Sequence, residues 1–174
     1  MNRARRLIMV CDESRFKPEQ VFDTVNALSN ATVDDVKSGK IPLAFYGGSN
    51  LGPEIVAQYN NGKIRLFDGF FAMPPEDRPS LLWHEFGHEV TRIAFADHNE
   101  ETNSMLRQFK LGDMRYDNFA GASYRPDEMI ADIYSQSMTA KDYLWEPGGK
   151  YEKATSYILD LAKEAGLPVP KWFR

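Results

Sequence analysis

Along the chain, apolar positions fall into a few periodic runs separated by polar and proline-glycine stretches. The clearest run covers residues 80–96. There Leu81, Leu82, Trp83, Phe86, Val90, Ile93, Ala94 and Phe95 recur mostly at three- and four-residue spacing, which predicts a largely buried helix. Asp77 is placed to cap it, with Pro79 in its first turn. A second helix is predicted from Pro126-Asp127 to about Met138, and a third over 151–165, stopping at Gly166. Pro147-Gly148-Gly149 separates these two. Residues 97–121 are polar and irregular, with a short helix expected over 103–109.

Strand signals lie upstream. Residues 55–59 and 63–67 are strand-like and flank Asn60-Asn61-Gly62, a strong hairpin signal. Residues 41–46 form another candidate strand, closed by Gly47-Gly48. Residues 7–11 read as a short buried strand, and 18–29 as a helix with Val21, Val25 and Leu28 on one face. Phe70 and Phe71 lead into a proline-rich loop over 73–79. No repeat or composition shift divides the 174 residues, so one α+β domain over 1–174 is expected, a small mixed sheet packed against two helices.

Apolar residues make up 43% and charged residues 26%, an ordinary globular balance. The net charge of −4 argues against a nucleic-acid interface, since phosphate binding needs clustered basic residues. The one such cluster, Arg3, Arg5 and Arg6, reads as a solvated tail. The apolar run at 7–11 is too short for a signal-peptide core, and no stretch suggests a membrane span. A soluble, cytoplasmic-type protein is therefore expected. The lone Cys11 permits no intrachain disulfide and reads as a small core residue.

The chemistry sits on the strongest helix. His84-Glu85-Phe86-Gly87-His88 matches H-E-x-x-H. Residues i and i+4 share a helix face, so the two imidazoles can bind one tetrahedral Zn2+. Glu85 is then placed to act as general base on zinc-bound water. The chain holds three histidines in all, and His98 falls beyond the predicted helix end, where a surface role is expected. The extended motif with histidine at position 94 is excluded, because Ala94 stands there and Thr91 replaces its glycine. A third ligand is better sought in Asp127-Glu128-Met129-Ile130-Ala131-Asp132. Glu128 and Asp132 share a helix face. Glu128 can complete the metal site, while Asp132 can accept the outer N–H of a ligand histidine. The small Ala131 would let the two helices approach closely, and Gly87 suggests close approach of its helix to a neighbouring strand or substrate.

An H-E-x-x-H helix followed by a helix reading Glu-x-x-x-small-Asp resembles the gluzincin zinc metallopeptidases. The segment 127–132 resembles the N-E-x-x-S-D of thermolysin-like enzymes. The wording His-Glu-Phe-Gly-His, with the second helix some 40 residues on, is more similar to the catalytic-domain family of anthrax lethal factor. The resemblance covers residues 81–138. It implies a zincin-like fold and endopeptidase activity on a protein or peptide substrate, with His84, His88 and Glu128 as zinc ligands, Glu85 as base and Asp132 behind the ligands. It also implies a cleft strand, for which 64–67 is the expectation, with the substrate backbone added along it. In the lethal-factor family a catalytic tyrosine stands seven residues before the glutamate ligand, where this chain has Gly121. Tyr124 is expected to stabilise the oxyanion instead, with Tyr116 as the other candidate. The alternative to an enzyme is a non-catalytic zinc-bearing module on the same fold.

Overall fold

The computed structural model describes residues 43–45, 54–60, 62–108, 125–139 and 152–173. The elements expected at 7–11 and 18–29 lie outside these residues, as do Cys11, Tyr116, Gly121 and Tyr124. Three strands form a mixed sheet: β1 (Leu43–Phe45), β2 (Ala57–Asn60) and β3 (Lys63–Leu66), in the order β1-β3-β2. The β2–β3 hairpin is antiparallel, with Ala57 opposite Leu66 and Asn60 opposite Lys63. Its turn contains Gly62 at φ 74°, a left-handed conformation that glycine adopts without steric cost. β1 runs parallel to β3, with Leu43 opposite Ile64. Along β3, Ile64 and Leu66 are buried while Lys63 is exposed, so alternate side chains meet the core.

Among the described residues five helices follow: α1 (Asp68–Ala72), α2 (Arg78–Asp97), α3 (Asn99–Gln108), α4 (Pro126–Thr139) and α5 (Glu152–Glu164), then a 3-10 turn at Lys171–Phe173. The architecture is therefore α+β. The core joins Ile64 and Leu66 to Phe70, to Leu82, Trp83, Phe86 and Val90 of α2, to Met129, Ile130, Ile133 and Tyr134 of α4, and to Ile158 and Leu159 of α5. No helix among the described residues is long and apolar enough to cross a membrane.

Three details differ from the sequence reading. Asp77 occupies the N-cap position of α2 but makes no side-chain cap; its backbone is already helical at φ −91° and ψ −23°. Helix α1 was not expected. Buried Arg78 closes its end, donating to the carbonyls of Phe71 at 2.8 Å and Met73 at 3.0 Å. Helix α3 starts at Asn99 instead of 103, because Thr102 turns back onto α2 and donates from Oγ1 to the Ala94 carbonyl at 3.1 Å. Its Met105 and Leu106 join the core.

Candidate metal centre

Helices α2 and α4 pack antiparallel. His84 meets Asp132, Gly87 meets Ala131, His88 meets Glu128 and Thr91 meets Asp127, so contacts descend one helix as they climb the other. Gly87 makes this approach possible, so the neighbour it admits is helix α4 and not the strand or substrate expected. A Cβ there would lie 2.4 Å from Ala131 Cα and 2.7 Å from its carbonyl oxygen. The two backbones therefore touch, and the side chains of the next stripe converge.

That stripe holds the expected ligands. His84, His88 and Glu128 each offer one donor atom, and the three atoms lie within 4.8 Å of one another. Glu128 Oε2 is 3.1 Å from His84 Nε2 and 3.7 Å from His88 Nε2. Zinc–ligand bonds of roughly 2.0–2.2 Å in a tetrahedron separate neighbouring donors by about 3.4 Å. The two separations bracket that value, and two imidazoles with one carboxylate are a donor set that suits zinc. The residues thus fit the metal that the motif implies.

The second nitrogen of His84 strengthens the fit. Nδ1 lies 2.5 Å from Asp132 Oδ1, a carboxylate that can only accept while ionised. Nδ1 therefore carries the proton and Nε2 presents its lone pair to Glu128. Two lone pairs 3.1 Å apart repel unless a cation lies between them, either a proton or a metal ion. Burial lowers the His84 pKa, but hydrogen bonds to Asp132 and Glu128 outweigh it and push the ring up to about 10. His88 goes the other way: burial, then the charge of His84, lower its pKa and keep it a neutral donor. The Glu128 carboxyl is held down chiefly by its hydrogen bond with His84.

Glu85 is nearly buried, with 6% of its surface exposed. Burial raises its pKa to about 7, against the lowering effects of the His84 charge and of a hydrogen bond from the Tyr59 backbone N–H. A carboxyl poised near neutrality can both take and return a proton. His98 stands apart, at the C-terminal end of α2 between Glu101 and Glu164.

The sheet corrects one expectation. β3 pairs with both β1 and β2, so residues 64–66 have no open edge for a substrate. Among the described residues, the outer strand beside α2 is β2. Phe67 N–H donates to Val56 O at 3.0 Å, and this fixes the hydrogen-bonding alternation. The peptide groups of Ala57 and Tyr59 then point away from β3, and Tyr59 N–H reaches Glu85. The Tyr59 hydroxyl donates to Glu89 and accepts from Gly62 N–H at 3.0 Å, binding the hairpin turn to α2. Sequence reasoning passed over Tyr59, and only the hairpin signal at Asn61-Gly62 hinted that a second strand would lie beside the motif. Compared with protein-family models, with curated proteins and with solved structures, the chain finds no match in any of the three.

Proposed function

We propose that the chain is a zinc-dependent endopeptidase with a zincin-like fold, of the gluzincin kind and closest in motif wording to the lethal-factor catalytic family. One observation carries this reading. Donor atoms of His84, His88 and Glu128 converge at near-tetrahedral spacing while Glu85, the glutamate of the same motif, lies buried beside them. His84, His88 and Glu128 would hold the zinc, and Asp132 fixes the His84 ring through Nδ1. Zinc bound there would polarise the scissile carbonyl and lower the pKa of the attacking water. Glu85 takes the proton of that water and delivers it to the leaving amine, a task suited to its near-neutral pKa. The Tyr59 N–H orients the Glu85 carboxylate for the transfer. An extended peptide adds along β2, beside the outward peptide groups of Ala57 and Tyr59. Tyr124 is the residue assigned to the oxyanion; Tyr124→Phe should lower turnover strongly and leave zinc content unchanged.

Gly121, in the place of the family's tyrosine, favours a second reading: a zinc-bearing module without catalysis. One set of measurements separates the two. Zinc per chain is measured on wild type and on Glu128→Ala, and cleavage is followed across a broad peptide library. About one zinc per wild-type chain, weaker retention in the variant and cleavage of some peptides support the enzyme. Zinc with no cleavage supports the module. A folded wild type that takes up no zinc after reconstitution removes both readings.

A further inference from the structure

Two buried hydroxyls tie α2 to α4 on either side of the ligand stripe. Thr91, on α2, shares its single Oγ1 proton between the carbonyls of Asp127 at 3.0 Å and Gly87 at 3.1 Å. Ser135, on α4, donates from Oγ to the carbonyl of Ser80 at 2.6 Å, and its oxygen lies 3.4 Å from Ser80 Oγ. Both side chains are almost wholly buried, Thr91 at 7% and Ser135 at 3% exposure.

The places they hold are specific to the site. Asp127 immediately precedes Glu128, so the Thr91 tie fixes the backbone from which that carboxylate extends. Ser80 lies one helical turn before His84, so the Ser135 tie anchors the turn that leads into the first histidine. A threonine in a helix often donates only to the carbonyl four residues back, which for Thr91 is Gly87. The Asp127 oxygen lies as close as the Gly87 oxygen, and it belongs to the other helix. Between the ties, Gly87 and Ala131 bring the backbones into contact but supply no directional bond along the axis. Smooth contact of this kind resists separation of the helices better than it resists sliding, and hydrogen bonds to carbonyls at both ends oppose sliding.

We propose that Thr91 and Ser135 are positioning residues for the metal centre: their cross-ties set the axial register of α4 on α2 and so hold Glu128 and Asp132 against His84 and His88. The inference rests on the metal reading of the site. Metal binding tolerates donor displacements of only about 0.2 Å, so a small slide is felt in affinity before it unfolds the protein.

The test uses the full chain with Thr91→Val, Thr91→Ser, Ser135→Ala and the Thr91→Val/Ser135→Ala double variant. Zinc affinity is read by competition with a chromogenic chelator, and site geometry by the visible spectrum of the Co2+-loaded protein. Thr91→Val and Ser135→Ala should each weaken zinc binding about 10-fold, the scale of partners that orient ligands, and alter the Co2+ bands. Thr91→Ser, which keeps the hydroxyl, should stay near wild type. A purely structural role would lower the thermal midpoint of the metal-free protein and leave affinity and spectrum unmoved. That result in both Thr91→Val and Ser135→Ala overturns the proposal while the metal reading stands. If Thr91→Val does not fold, Ser135→Ala decides by the same two readouts. A folded wild type that binds neither Zn2+ nor Co2+ overturns the metal reading and this inference with it.

Discussion

Replacing Gly87 by alanine adds one methyl group at the point where α2 and α4 touch. That methyl carbon would lie 2.4 Å from Ala131 Cα, 2.7 Å from its oxygen and 2.9 Å from its carbonyl carbon, whereas ordinary contact begins near 3.4 Å. Every obstructing atom is backbone, so no side chain can swing aside, and α4 must retreat by about 1 Å. Overpacking of this kind costs up to about 3 kcal/mol. Alanine returns about 1 kcal/mol through its better helix propensity, leaving a net loss of about 2 kcal/mol. The metal site should suffer more than the fold. Glu128 and Asp132 travel with α4, and a retreat of about 1 Å exceeds the tolerance of a zinc site several-fold. The 3.1 Å and 3.7 Å separations from Glu128 to the two histidines would open beyond any tetrahedral edge. We expect urea unfolding to report the stability loss and chelator competition to report at least about a 100-fold loss of zinc affinity. A Gly87→Ala protein that is more stable than wild type and binds zinc equally well would refute the backbone contact, and with it the reason the ligands converge.

The remaining predictions concern the ionisable groups. Glu85→Gln should retain zinc and lose cleavage by about 100-fold or more, as measured on any peptide the wild type cuts; unchanged turnover would remove Glu85 from the proton transfer. Asp132→Ala should lower zinc affinity about 10- to 100-fold, because the His84 ring loses the bond that fixes its tautomer; equal affinity by chelator competition would contradict that role. For the metal-free protein, His84 is raised from its ordinary 6.5 to about 10, so its contribution to stability is complete below about pH 6.5 and is lost as pH rises towards 10. Glu85, raised to about 7, adds a loss in the same direction between about pH 4.5 and 7, while lowered His88 opposes it only below about 6.5. Stability without metal should therefore fall by about 2 kcal/mol from pH 7 to 9 in urea titrations, a window set by His84; a flat or rising profile there would show that His84 is not held as a cation.

Some parts of this site could be read from sequence because they depend on one helix at a time. His84, Glu85 and His88 fall on one face of α2 by the geometry of 3.6 residues per turn, and the same rule places Glu128 beside Asp132 on α4. Helix existence was legible where apolar periodicity was strong, as at Trp83, Phe86 and Val90, and at Ile130, Ile133 and Tyr134. Gly87 and Ala131 were legible as small residues, but that each is the other's partner is a matter of antiparallel register, which no local pattern encodes. The same limit hid Thr91 and Ser135, since a hydroxyl in a helix looks alike whether it bonds its own turn or a neighbour's carbonyl. It also misassigned the cleft strand. The hairpin at Gly62 was evident, yet which of its strands lies inside depends on β1 pairing with β3 across a gap of some 20 residues. A parallel pairing at that distance leaves no alternation or turn signal to tell inner from outer; the order follows from β3 pairing with β1 on one side and β2 on the other. The residues proposed to hold and serve a metal were thus legible through their own helices. Of the residues that hold those helices at working distance, Ala131 was read as a point of close approach, whereas its pairing with Gly87 and the ties of Thr91 and Ser135 exist only once both helices are in place.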